Sequence, residues 1–293
     1  MFSTKAEEKR QASTVGRKMF EWKDKVCIIT GACSGIGWSF VQSVLKKGAK
    51  CLMADLNFKS GEQKEKELQD EHGQDKVIYF RVDVSSAQNF DAAFEKCLEF
   101  FGKVDVLINS AGIVGESNWE TLLQINLMGS IRGCKLAMKY MGKNGYGGLC
   151  STNTGGVVMN ISSIQGLQVW PAMPTYSAGK TGLITYTRSA GHPLEYAQHG
   201  VKMICFCPGA VETPIEDYKH HVGMTEVGKE YLKGLWPKLQ PALKADEVSE
   251  AGLEIIESAD TATVWFIHIS GQKAFEIPDT LDSLEKLLAH QST

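Results

Sequence analysis

From Lys25 onward, short runs of continuously apolar, β-prone residues alternate with longer segments of helical spacing, and this alternation limits the fold more than any other feature. The runs are 26–30, 49–54, 77–82, 104–109, 156–161, 201–207 and 263–269. Between them, 35–47, 61–72, 87–101, 119–141 and 174–198 place apolar residues at helical intervals. A strand that is apolar throughout is buried on both faces, and intervening helices supply the cover. Right-handed crossovers then favour an α/β fold with a doubly wound (Rossmann-type) parallel sheet, expected here as seven strands in the order 3-2-1-4-5-6-7.

Composition fits one such domain. With 293 residues, 43% hydrophobic and 22% charged, the chain can bury a large core and falls outside the disordered class. Net charge is −3 with no basic block, which argues against a nucleic-acid partner. No apolar run approaches the roughly 18 residues of a membrane-spanning helix. The eight cysteines are scattered through apolar segments without a C-x-x-C pair, so reduced thiols in the cytoplasm and no metal site are expected. Residues 1–23 are polar and read as an extension, and 24–293 as a single domain. All eight prolines follow residue 170, which places irregular backbone in the second half. The longest stretch without periodicity, 208–245, reads as a substrate loop, a lid that would select bulky apolar alcohols. The small-residue segment 146–156 reads as a surface connection. Residues 281–288 have helical apolar spacing suited to covering the site or to packing across a subunit boundary.

The glycine pattern carries the first chemistry. Thr30-Gly31-Ala32-Cys33-Ser34-Gly35-Ile36-Gly37 follows the first strand and opens a helix. Glycines there let the backbone approach a pyrophosphate, and the helix N-terminus supplies free N–H groups and a favourable dipole. The same trio also suits a plain tight turn with close helix–strand packing. Asp55, about 20 residues past Gly35, stands where a carboxylate binds the adenosine ribose hydroxyls. It would repel a 2′-phosphate, and no Arg or Lys occupies 32–34 or directly follows Asp55, so NAD is expected rather than NADP. Asp83 and Val84, after the third strand, could hold the adenine, or Asp83 could cap the next helix.

Among the eight tyrosines, Tyr176 alone has a lysine four residues on, Lys180, which would share its helix face. Ser163 ends a buried strand upstream, so these groups would gather near the carboxyl ends of the strands, where ligands bind in this architecture. The ordered set T-G-A-C-S-G-I-G, Asp83-Val84, Asn109-Ser110-Ala111-Gly112, Ile125-Asn126-Leu127, Ile161-Ser162-Ser163, Tyr176–Lys180 and Cys207-Pro208-Gly209 resembles the short-chain dehydrogenase/reductase family. The resemblance is strong over 25–214 and looser beyond. Segments Asn118-Trp119-Glu120, 123–127 and 187–190 are similar to the 15-hydroxyprostaglandin dehydrogenase and insect alcohol dehydrogenase-like branch.

This resemblance implies Tyr176 as general acid/base, Lys180 as its activator and ribose clamp, Ser163 as anchor of the substrate oxygen, and Asn126 as organiser of a proton-relay water. It implies cofactor contacts from Gly31, Ser34, Gly35, Ile36, Gly37, Asp55, Asp83, Val84, Asn109, Ala111, Gly112, Tyr176, Lys180, Pro208, Gly209 and Val211. A free phenol titrates near 10, and a neighbouring ammonium and a cationic nicotinamide draw it toward the working range. The expected activity is hydride transfer between NAD and an apolar primary or secondary alcohol or carbonyl compound, of retinoid, isoprenoid, steroid or eicosanoid kind, in a homodimer or tetramer. Leu167, Trp170, Met173, Val211, Tyr218 and Trp236 are candidate pocket residues that could equally be core. A catalytically idle dinucleotide-binding or structural protein on the same fold is the competing reading.

Four positions depart from the family pattern. Ser110 replaces a second asparagine, Gly179 the serine before the lysine, and Met173 stands where the prostaglandin enzyme carries glutamine. Gly191-His192-Pro193 interrupts the expected Tyr176 helix, where proline would kink it and free the carbonyl of Ser189.

Overall fold

The computed structural model describes residues 20–143, 155–213, 223–268 and 271–274. Their strands are β1 (Val26–Thr30), β2 (Lys50–Asp55), β3 (Val77–Arg81), β4 (Val106–Asn109), β5 (Val157–Ile161), β6 (Lys202–Pro208), β7 (Thr263–His268) and β8 (Gly271–Ala274). They form a sheet in the order β3-β2-β1-β4-β5-β6-β7-β8, parallel except for the last pair. The expected seven-strand order is therefore present, with an antiparallel edge strand added. That strand, G-Q-K-A, is short and almost wholly exposed, so it has no apolar pattern by which to be read.

The helices are α1 (Gly35–Lys46), α2 (Phe58–His72), α3 (Ala87–Phe101), α4 (Trp119–Leu123), α5 (Ser130–Met141), α6 (Pro174–Ala190), α7 (Pro193–His199), α8 (Glu226–Leu235) and α9 (Ala245–Ser258). Side chains of α1 and α9 share a core on one face of the sheet, and those of α3 and α5 share a second core on the other. The site therefore lies at one edge of a sheet sealed on both sides.

Four expectations are corrected. The helix expected over 119–141 contains a π-helical turn, Gln124–Gly129, between α4 and α5. Such turns accommodate one extra residue within a helix and are frequent at functional sites. The helix expected over 174–198 is two helices: α6 ends at Ala190, and His192 caps α7 with Pro193 in its first turn. Proline thus starts a helix here instead of kinking one, and the Ser189 carbonyl is not freed but accepts from the His192 amide at 3.2 Å. The stretch 208–245 contains an amphipathic helix, α8. Helix α9, not expected from the sequence, buries Val248, Leu253, Ile255 and Ile256 together with Ser249 and Gly252. Ser249 pairs with Ser39 and Ser43 of α1 at 2.8 and 2.9 Å, and a Cβ on Gly252 would lie 2.4 Å from the Phe40 ring. Small polar contacts replace the usual Leu and Val there. Residues 1–19, most of 146–156, Tyr218 and 281–288 lie outside the described residues.

Candidate active site

The β1–α1 loop is a cradle that side chains would fill. Gly31 and Gly35 have φ of +66° and +51°, in the left-handed region glycine tolerates. A Cβ on Gly37 would lie 2.2 Å from the Gly31 carbonyl oxygen, so the first turn of α1 can close onto the loop only with glycine there. The loop is anchored from two sides. Thr30 Oγ1 accepts from the amides of Ser110 and Ala111, both at 3.0 Å, which fastens β1 to the turn after β4. Asp55, at the end of β2, accepts from the Cys33 amide at 2.9 Å and from the Asn57 amide at 2.9 Å. The α1 N-terminus holds no acidic residue in its first turn, so its positive end is left open for an anion.

Ser163, Tyr176 and Lys180 reach the same opening from β5 and α6. Ser163 leaves β5 in extended conformation and accepts from the Gln165 amide at 3.2 Å, which orients its hydroxyl. Tyr176 and Lys180 lie on the buried face of α6, with the Lys180 ammonium 5.5 Å from the centre of the Tyr176 ring. Lys180 Nζ donates to the Ile161 carbonyl at 2.8 Å. Burial strips water from this ammonium and pulls its pKa down to about 8; the nearby thiols of Cys205 and Cys207 act more weakly in the opposite direction. Gly179, where the family has serine, faces Leu122 and Leu123 of α4, so the missing hydroxyl leaves room for helix packing.

Asn126 sits in the π-helical turn and is fully buried. Its amide pairs both ways with Ile113, accepting from the backbone N–H at 2.9 Å and donating to the carbonyl at 2.8 Å. A Cβ on Gly112 would lie 3.4 Å from Asn126 Oδ1 and 3.8 Å from Lys180 Nζ, so the two functional groups flank that glycine.

These elements surround a cavity of about 530 Å³. Gly31, Ser34, Gly35, Ile36, Gly37, Gly112, Pro208, Gly209 and Val211 line it together with Ser163, Tyr176 and Lys180. Ile113, Val114, Trp170, Met173, Leu232, Trp236 and Leu239 add apolar wall to the same cavity. Of the candidate pocket residues, Trp170, Met173, Val211 and Trp236 are therefore placed at the cavity. Leu167 packs instead with Ile184 of α6 and with Cys205, Cys207 and Val264.

The expected cofactor contacts divide. Asp55 and Ala111 hold the loop in place as described. The Asn109 side chain does not reach the cavity: it is buried between Asn160 Oδ1 at 2.8 Å and the Ser130 carbonyl at 3.2 Å. Asp83 accepts from the amide and hydroxyl of Ser85, while Ser86 caps α3, so the helix-cap alternative for Asp83 falls away. Val84 packs against the backbone at Gly129.

One residue of consequence escaped the sequence reading. The Glu116 carboxylate accepts from the amides of Thr175 at 3.1 Å and Tyr176 at 3.2 Å, capping the helix that carries the tyrosine. Met173, at the usual capping position, makes no side-chain cap bond. A cap supplied by a loop so far away in the chain leaves no local spacing to detect.

Residues 25–221 match the short chain dehydrogenase family. The chain is 38% identical to rat (Rattus norvegicus) 15-hydroxyprostaglandin dehydrogenase [NAD(+)] over 191 residues, which is 65% of this chain and 70% of that protein. It is 31% identical to alcohol dehydrogenase 1 of Ceratitis capitata over 207 residues, 71% of this chain and 76% of the relative. A short chain dehydrogenase/reductase from Burkholderia phymatum, solved in complex with NAD, superposes with a TM-score of 0.68 and 26% identity, covering 81% of this chain and 87% of that one.

Proposed function

Because the chain belongs to the short chain dehydrogenase family, we propose that it is an NAD-dependent oxidoreductase acting on an apolar primary or secondary alcohol or the matching carbonyl compound. One observation carries this reading: Ser163, Tyr176 and Lys180 open on the same cavity as the glycine cradle and a set of apolar side chains. The cradle fits a dinucleotide, because bulk at Gly37 would close it and Asp55 is placed at its ribose edge. When bound, NAD supplies the hydride acceptor or, reduced, the donor.

The chain's own groups then handle the oxygen and its proton. Ser163 donates to the substrate oxygen and fixes its position. Tyr176 removes the hydroxyl proton during oxidation and returns it during reduction. Lys180, beside the ring, favours the phenolate and holds the ribose of the cofactor. Asn126, clamped by Ile113, holds a water that passes the proton outward. Trp170, Met173, Leu232 and Trp236 exclude water and select apolar substrates. Residues 208–245 act as a substrate loop within the single domain, and Leu232, Trp236 and Leu239 are among the apolar side chains it brings to the cavity.

We extend the reading to a homodimer in the cytoplasm. All seven described cysteines are buried and unpaired, which suits a reducing compartment. No helix among the described residues is long and apolar enough to cross a membrane.

The test is purified protein with NAD and a panel of apolar alcohols, followed by absorbance of NADH. Turnover that rises with substrate size supports the reading. Tight NAD binding without turnover of any alcohol establishes the catalytically idle alternative instead.

A further inference from the structure

The absence of a basic residue beside the ribose acid holds along the chain but fails in space. Asp55 and Arg81 are register partners in the parallel pair β2–β3, so their side chains leave the sheet on the same face at its carboxyl edge. Tyr79 shares that face; its hydroxyl donates to the Asp55 carbonyl at 2.9 Å, and Gly61 of α2 packs against its ring. One turn further along α2, Lys64 reaches across to α1 and rests its ammonium 3.6 Å from the centre of the Trp38 ring, in the first turn past the glycines. Lys64 and Asp55 both act electrostatically on Cys33, whose amide Asp55 holds, and Arg81 acts on Tyr79. Arg81 is exposed and Lys64 half-buried, and neither forms an ion pair among the described residues. Two cations, Arg81 beside it in the sheet and Lys64 held on the Trp38 ring, therefore lie in the neighbourhood of the carboxylate that would face the adenosine ribose.

We propose that Arg81 and Lys64 are the counter-charges of a latent 2′-phosphate site, kept closed by the single carboxylate of Asp55. The inference rests on the dinucleotide reading of the cradle. Asp55 accepts two backbone amides and bears a full negative charge at the place a 2′-phosphate would enter, so the phosphate meets repulsion first. With that charge removed, a dianionic phosphate would find a guanidinium suited to bidentate pairing and an ammonium that can swing from the Trp38 ring. Cofactor choice then depends on one residue acting against two that already favour the phosphorylated form.

Calorimetry with a matched pair of probes tests this without turnover: adenosine 5′-monophosphate, and adenosine 2′,5′-bisphosphate, which carries the extra 2′-phosphate. The wild-type chain should bind the first and discriminate against the second. Asp55→Asn keeps an oxygen for the Cys33 amide and should bind the 2′,5′-bisphosphate at least about tenfold more tightly than wild type does. Asp55→Ser, which keeps a smaller acceptor, should show the same gain if the amide variant misfolds. Adding Arg81→Leu and Lys64→Met should abolish the gain while leaving 5′-monophosphate binding within a few-fold. No gain in either Asp55 variant, or a gain that survives loss of both cations, overturns the proposal. Failure of the wild-type chain to bind either adenosine probe overturns the dinucleotide reading itself.

Discussion

Lys180→Met should make the cofactor-free protein more stable while abolishing its turnover. The ammonium is 6% exposed and its pKa is lowered from 10.5 to about 8 by burial. Folding therefore weakens proton binding at this site, so between about pH 8 and pH 10.5 the unfolded chain carries more protons and wild-type stability rises with pH. Below that window the whole cost is present, roughly 3 kcal/mol from the size of the shift. Methionine has similar length and no charge, so it removes this cost but also the bond to the Ile161 carbonyl, worth about 1 kcal/mol. The variant should then exceed wild type by about 2 kcal/mol at pH 7, and that margin should shrink by roughly 2 kcal/mol at pH 9.5. Urea denaturation of both proteins at the two pH values measures it. Titrations shared by the two proteins cancel in the difference, so the change of the margin with pH isolates this lysine. A margin that stays the same at both pH values would refute the argument, since it would mean that the ammonium keeps its water in the folded chain.

Three further outcomes follow from the site. Tyr176→Phe should retain the fold and NAD binding, yet lower kcat by at least about 100-fold, because the proton-transfer group is gone; wild-type turnover would contradict the mechanism. Glu116→Gln should lower stability by about 1 kcal/mol through the weakened cap and reduce kcat more than it raises KM, as expected if Glu116 only positions Tyr176; an effect confined to KM would place Glu116 at the substrate instead. Trp236→Ala should raise KM for bulky apolar alcohols by about tenfold and leave small alcohols nearly unchanged, since a large substrate buries more apolar surface against this wall of the cavity; equal changes for both would remove Trp236 from substrate recognition.

Much of this molecule was legible because its signals are local. Strand β1 and helix α3 have the bounds the sequence indicates, β1 because every residue in it is buried and α3 because the Ser86 side chain caps it just before an amphipathic run. The cradle was legible from its glycines, and Ser163, Tyr176 and Lys180 from their order along the chain. What escaped was held by contacts between distant segments. Helix α9 follows a stretch without periodicity, and its apolar stripe is interrupted where Ser249 and Gly252 meet α1. The π-helical turn around Asn126 inserts a residue into an apolar pattern that still reads as one helix. Glu116 caps from another loop, and the cations flanking Asp55 become neighbours only when β2, β3 and α2 assemble. Asn109 shows the reverse: at this motif position the side chain ties β4 to β5 and α5, a structural role that the motif alone does not reveal.

The cap from Glu116 limits how modular this fold is. The cradle belongs to β1–β4 and the Ser163–Tyr176–Lys180 set to the second half, a division that invites exchange of halves between relatives. Yet the orientation of α6 is referred to a carboxylate that follows β4, and the same loop continues from Ile113 and Val114, which form part of the substrate wall. A transplanted second half would meet a foreign loop, and its tyrosine would be aimed by whatever that loop offers. Recombination would preserve each half's motifs while losing their alignment, unless residues 113–116 travel with the helix they hold.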